Sequence, residues 1–151
     1  MMWPFPQESA HPLVVHFPIA LLLTAVCLDL AALGFRHPGL HRMALWNLTL
    51  GTLAAGVAVL TGLRASTVAK HSFDIWQVME LHKRLGIATL ILGLMAGSWR
   101  LAKRDRLTVR ARVTTVLISL LMVGTLMWGA HLGGRLVYEF GVGGTFGHSA
   151  P

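Results

Sequence analysis

The sequence has few charged residues for its length. Only 13% of its 151 residues are Asp, Glu, Lys or Arg, whereas 54% are hydrophobic and the mean hydropathy is +0.63. A soluble domain carries about 25% charged residues. The shortage of charge excludes an ordinary soluble domain and indicates that lipid surrounds much of the surface.

Cysteine and the common catalytic motifs are almost absent as well. The single cysteine, Cys27, lies inside the first apolar run, so it forms no disulfide framework. Without a C-x-x-C-H motif, covalent c-type haem is excluded. The sequence also lacks an H-E-x-x-H motif, a nucleophile elbow and a P-loop. These absences favour an electron carrier or a subunit over a stand-alone enzyme.

Four apolar runs are long enough to cross a bilayer, which takes about 20 helical residues. They predict an all-α, polytopic four-helix bundle with up-down-up-down topology, forming one transmembrane domain over residues 1–151. The predicted helices cover 12–35, 43–63, 80–99 and 113–132. Between the first two, Pro38 removes a backbone donor and Gly39 permits a turn, which predicts the end of the first helix.

The positions of the basic residues predict the orientation. The net charge of +7 is typical of nucleic-acid binders, but most basic residues lie between apolar runs, which argues against a nucleic-acid partner. Eight are on one side of the predicted membrane and five on the other, so the eight-residue side is predicted to be cytoplasmic and both termini outside. The first side has Arg36, Arg42, Arg100, Lys103, Arg104, Arg106, Arg110 and Arg112; the second has Arg64, Lys70, Lys83, Arg84 and Arg135.

Six of the eight histidines fall on the predicted outer side: His11, His16, His71, His82, His131 and His148. The other two, His37 and His41, lie beside arginines in the cytoplasmic connector, and we interpret them as interfacial residues without chemistry. His16, His82 and His131 come from three helices at a similar depth. Ionisable residues inside membrane spans are costly, so this set indicates a functional site.

His16 and His82 each lie above a column of small side chains at helical spacing. The first and third helices of such a bundle are diagonally opposite, and a haem requires an axial imidazole from each side. We therefore predict a small b-type cytochrome with His16 and His82 as axial ligands, and with His131 and His11 in reserve. Close helix packing explains the same small columns.

Two other functions stay open. Imidazoles also bind copper and zinc, and His16, His82 and His131, with the thioether of Met79 or Met127, would suit a metal transport, sensing or delivery protein. The third possibility is a structural anchor subunit of a respiratory complex that holds no cofactor. In the haem protein, Glu80 and Glu139 would orient imidazole N–H groups.

Further expectations concern Asp29 and the segments on the histidine side. Asp29 is predicted to pair with Arg42 or Arg100, with proton handling as the alternative. The connector 64–79 and the tail 133–144 are expected to cap the cofactor and to contact a periplasmic or membrane redox partner. Association into homo- or hetero-oligomers stays open.

Several motifs resemble a bacterial family of four-helix membrane proteins known only as a domain of unknown function. The segments that carry the resemblance are His11-Pro-Leu-Val-Val-His16-Phe-Pro-Ile-Ala-Leu21, Asp29, Leu60-Thr-Gly-Leu63, His82-Lys-Arg-Leu-Gly86 and Gly133-Gly-Arg-Leu-Val-Tyr-Glu-Phe-Gly-Val-Gly143. The resemblance implies a multi-pass protein of the bacterial inner membrane with an outward-facing histidine set. It also implies an association with respiratory or cytochrome-containing systems, but no assigned reaction.

Overall fold

Five α-helices make up the part of the chain that the structure describes. The computed structural model describes residues 7–68, 72–103 and 108–142, and the side chains of residues 11–67, 72–103 and 108–142. The helices are α1 (Gln7–Val14), α2 (His16–Phe35), α3 (Pro38–Val68), α4 (Phe73–Lys103) and α5 (Val109–Tyr138). No strand occurs in these ranges.

Four helical segments are long and apolar enough to span a membrane: His11–Phe35, Pro38–Thr67, Phe73–Lys103 and Val109–Tyr138. This confirms the predicted all-helical membrane protein with four spans. The last three helices extend several residues beyond the predicted apolar runs at both ends. Their polar end turns carry helix formers such as Arg64, Gln77 and Lys103, which the apolar pattern alone does not include.

The first span is interrupted where α1 meets α2. Pro18 has no N–H to donate to the carbonyl of Val14, and its ring crowds that carbonyl. Val15 separates the two helices, although it keeps helical dihedrals and its N–H still contacts the His11 carbonyl at 3.2 Å. The two helices therefore follow nearly one path across the bundle.

The turn after the first span differs from the prediction. Arg36, not Gly39, takes the left-handed conformation, with φ of 51°. Pro38 then opens α3, where its fixed φ suits a first helical turn and its missing N–H costs nothing. Gly39 lies inside α3, so the glycine predicted to make the turn has no such role.

Consecutive spans pack side by side, and the first span also contacts α5. Within the described residues, neither α1 nor α2 approaches α4 closely along the backbone, so the first and third spans lie diagonally across the bundle. A small core of Leu22, Ala25, Val26, Leu48, Ala55, Ala96 and Met122 fills the middle. Large apolar side chains such as Phe17, Trp46 and Leu117 are exposed around it, as expected of a surface that lipid covers.

Candidate functional site

Two imidazoles meet across the diagonal of the bundle. His11 on α1 and His82 on α4 have ring centroids 6.1 Å apart with an interplanar angle of 81°. Both side chains are partly buried. We call the end of the bundle that carries this pair the histidine end.

Each imidazole is held through its Nδ1 atom. His82 Nδ1 lies 2.8 Å from the Gly129 carbonyl, and because a carbonyl only accepts, Nδ1 donates. The Thr61 hydroxyl donates to the Ala58 carbonyl, so its oxygen accepts from His11 Nδ1 at 3.2 Å. Both rings are thereby oriented as Nδ1–H tautomers, which leaves each Nε2 lone pair able to bind a metal ion or a proton.

A glycine of a neighbouring helix packs against each ring. A Cβ atom at Gly62 on α3 would lie 2.8 Å from His11 Cε1, and one at Gly133 on α5 would lie 3.0 Å from His82 Cε1. Any larger residue would displace the imidazole that it faces. The Leu-Thr-Gly-Leu segment therefore contributes a hydrogen-bond acceptor, Thr61, and a close-packed glycine to the histidine pair, and the Gly-Gly segment contributes a second close-packed glycine.

The structure does not bring the other predicted site residues into this pair. His16 is exposed on the outside of α2. His131 is exposed on α5, where its ring lies 6.0 Å from that of Trp128. Met127 is 51% exposed, whereas Met79 is buried. Within the described residues, no three His, Cys, Asp or Glu side chains form a group that could hold a metal ion.

The two glutamates pair with basic residues of their own helices. Glu80 contacts Lys83 and Arg84, each at 3.0 Å, and Glu139 contacts Arg135 at 2.9 Å. Among the residues that the structure describes, neither glutamate has an imidazole as a hydrogen-bond partner, and the Thr61 hydroxyl and the Gly129 carbonyl orient the rings instead. His71, His148 and the tail from residue 143 lie outside the described residues.

A second polar cluster lies at the other end, which we call the arginine end. Asp29 on α2 and Arg100 on α4 are buried, with Arg100 Nη1 2.5 Å from Asp29 Oδ2. Arg100 Nη2 donates to the His41 carbonyl at 2.8 Å, and His41 Nδ1 lies 3.2 Å from Asp29 Oδ1. The Asp29–Arg100 alternative is thus seen, whereas the interpretation of His41 as a plain interfacial residue missed its contact with Asp29.

The two ends are connected by one face of α4. His82, Thr89, Gly93, Ala96 and Arg100 recur at helical spacing, and Thr89 shares a hydrogen bond of 2.9 Å with Thr125 on α5. Arg100 lies eighteen positions after His82, and Asp29 lies eighteen positions after His11. This corresponds to about five helical turns, or about 27 Å, close to the thickness of a bilayer core.

The sequence motifs that resemble a known family now have positions in the structure. The family match covers residues 7–145, and these residues include both polar clusters. The chain belongs to the DUF2231 family of predicted membrane proteins. Neither the curated proteins nor the solved structures contain a significant match to it.

The sequence analysis preferred His16 and kept His11 in reserve, whereas the ring that lies beside His82 in the structure is that of His11. The signal that distinguishes them is Asp29, which needs a buried partner and therefore fixes the inward face of the first span. Thirteen residues separate His16 from Asp29, which puts the two on opposite faces, whereas the eighteen-residue spacing puts His11 on the same face as Asp29. His82, the other predicted ligand, contributes the second ring of the pair.

Proposed function

We propose that this DUF2231 protein is a small b-type cytochrome that carries electrons at one face of a bacterial inner membrane, with His11 and His82 as the axial ligands of one haem. The observation that carries the proposal is the pair of imidazoles that meet across the bundle, each held through its Nδ1 atom so that the lone pair is on Nε2. Reversible one-electron transfer would come from the haem iron, and binding and orientation from the protein.

The distance between the rings supports a shared metal ion. A metal–imidazole bond is about 2 Å long, so two imidazoles on opposite sides of one ion have ring centres about 6 Å apart. The observed separation of the centroids is 6.1 Å. The two rings come from diagonal helices, which is the arrangement that admits ligands from opposite faces of a macrocycle.

The donor set also fits haem iron. Two neutral imidazoles whose Nδ1–H groups are held by protein oxygens are strong, fixed ligands, because the hydrogen bond sets both tautomer and ring direction. Gly62 and Gly133 keep the rings seated against backbone. Thr89 and the apolar core lie below the site, so the interior of the bundle separates it from water at the arginine end.

The proposed orientation follows the distribution of basic residues. The exposed residues Arg36, Arg42, Lys103 and Arg110 lie at the arginine end, which we assign to the cytoplasm. The histidine end then faces the periplasm, where a soluble or membrane-bound redox partner would exchange electrons with the haem. A multi-pass protein with both termini outside follows from the same assignment.

The visible spectrum of the purified protein tests the ligand pair. We expect a low-spin bis-imidazole haem spectrum from the wild type, and a high-spin spectrum or loss of haem from His11→Ala and His82→Ala. The matched controls, His16→Ala and His131→Ala, remove exposed histidines from neighbouring positions and should keep the low-spin bands. Loss of haem from His16→Ala together with a normal spectrum from His11→Ala would restore the pair His16 and His82 and refute our assignment.

A copper or zinc site is the second candidate, because the same two Nε2 atoms would bind a bare ion. With only two imidazoles in the pair, a bare ion would need ligands from outside the described group, or the two-coordinate geometry available to Cu(I). Metal analysis of the purified protein separates the candidates. Stoichiometric copper or zinc without a Soret band would replace the haem proposal. A purified protein that holds neither metal nor haem would favour the cofactor-free anchor subunit.

A further inference from the structure

The arginine end contains a partly buried histidine that the proposed electron transfer does not use. His41 lies in the first turns of α3 and is bound through Nδ1 to Asp29, while Arg100 binds the other carboxylate oxygen and the His41 carbonyl. Asp29 and Arg100 are each at least nine-tenths buried. The ends of three different spans therefore meet at one imidazole.

The hydrogen bonds assign the protons of this cluster. An ionised carboxylate only accepts hydrogen bonds, so the His41 Nδ1 atom must donate to Asp29. In the neutral imidazole the remaining nitrogen, Nε2, then carries a lone pair. That atom is buried and has no hydrogen-bond partner among the described residues. Buried polar atoms without a partner are rare, and such an atom indicates a missing ligand or a functional role.

We propose that His41 Nε2 is a proton-binding site, distinct from the histidine pair at the other end of the bundle. A proton from the aqueous side of the arginine end would bind the Nε2 lone pair to form an N–H bond, and Asp29 would stabilise the resulting imidazolium through Nδ1. The ligand is a proton because Nε2 has almost no accessible surface, so that a larger ligand would have to separate the helices. A metal ion is disfavoured because no three metal-binding side chains gather within the described residues.

The charges that face His41 make its protonation state responsive to its surroundings. Asp29 from α2 favours the imidazolium, and Arg100 from α4 opposes it. On α3 itself the adjacent Arg42 is exposed and therefore screened by solvent. Of these groups, Asp29 is the one whose side chain is hydrogen-bonded to the ring.

Side-chain nitrogen NMR of ¹⁵N-histidine-labelled protein in lipid nanodiscs tests the proposal. The His41 signals are identified by their loss in His41→Gln. We expect the Nε2 signal to change from that of a lone-pair nitrogen to that of an N–H nitrogen as the pH falls, while the Nδ1 signal stays that of an N–H throughout. A His41 signal that keeps one form over the whole pH range in which the protein is folded would overturn the proposal, whatever the variants do.

Two variants then test the role of Asp29. Asp29→Asn removes the negative charge that the imidazolium would contact, so the pH at which the Nε2 signal changes should differ from that of the wild type. The control is Asp74→Asn, which removes an exposed carboxylate in the first turn of α4 and should leave the His41 titration where it is. An unmoved titration in Asp29→Asn, or an equal movement in the control, counts against an Asp29-stabilised site. None of these readouts depends on haem, so this site and the proposed cytochrome fail or succeed separately.

Discussion

At the scale of single residues, the glycines beside the histidine pair are the most informative positions. On the side of Gly62 that faces His11 there is space for a hydrogen atom but not for a methyl group, because an added Cβ would lie 2.8 Å from the ring. The atom that it would meet belongs to a side chain that can rotate. The consequence of a larger residue is therefore a displaced imidazole rather than a broken fold.

We expect Gly62→Ala to change the proposed haem spectrum while the protein stays folded. The displaced His11 ring should weaken axial ligation, so high-spin haem or reduced haem content is the expected result. The control is Gly97→Ala, where an added Cβ meets nothing within 4 Å. That variant should keep the wild-type spectrum and gain up to about 1 kcal/mol from better helix propensity. Equal spectra from both variants would show that the contact between Gly62 and the His11 ring does not affect haem ligation.

Ser119 gives a second prediction at this scale. Its hydroxyl is buried on α5 and has no partner among the described residues. An unpaired buried hydroxyl contributes no hydrogen bond to the folded state, so Ser119→Ala should leave the free energy of unfolding unchanged or raise it by about 1 kcal/mol.

Thr89→Val breaks the hydrogen bond to Thr125 and should lower the free energy of unfolding by about 0.5–1.5 kcal/mol. Unfolding in mixed micelles measures both, and a large loss from Ser119→Ala would reveal a partner for its hydroxyl.

At the scale of helices, the buried ion pair between α2 and α4 connects spans whose backbones do not touch. Arg100→Leu leaves the Asp29 carboxylate buried without its guanidinium. Breaking such a pair by removing one partner costs about 3–5 kcal/mol, whereas replacing both partners with apolar residues is often neutral. We therefore expect a large loss of unfolding free energy in Arg100→Leu.

The double variant Asp29→Leu with Arg100→Leu provides the decisive comparison for this pair. Most of the lost stability should return, because no isolated charge stays in the bundle. Arg84→Leu is a suitable control, since its pair with Glu80 is exposed and contributes little. A double variant as unstable as Arg100→Leu would mean that the guanidinium acts mainly through the His41 carbonyl.

The helices themselves could be predicted from the sequence more completely than their rotations. Length and hydropathy predict four spans, and the depth of His82 and the need of Asp29 for a cation are visible in the same pattern. Which face of the first span turns inward is a tertiary property, however. His11 and His16 both precede an apolar run, and the break in the helix at Val15 lies between them. The partners of the rings, Thr61 and Gly129, depend on the register of α3 and α5, which periodicity alone does not fix.

At the scale of the whole molecule, the positions of the basic residues predict that the C-terminus lies outside the cytoplasm. A reporter that is active only in the cytoplasm should be inactive when it is fused after Pro151, and a periplasmic reporter at the same site should be active. A fusion in the connector between α4 and α5 is the internal control and should give the opposite pair of results. An active cytoplasmic reporter at the C-terminus would reverse the orientation while leaving the four spans intact.

The equal spacing of the two diagonal contacts restricts how the chain can change in length. His11 and Asp29 on the first span match His82 and Arg100 on the third, because the two members of each pair are eighteen positions apart in the sequence. One inserted residue in either span would rotate everything beyond it by about 100° and move it by about 1.5 Å. The histidine contact and the ion pair could then no longer form together. Insertions and deletions should therefore be tolerated in the connectors and rejected within these two spans, which makes the spacing itself, and not only the four side chains, a property that descendants of this sequence must keep.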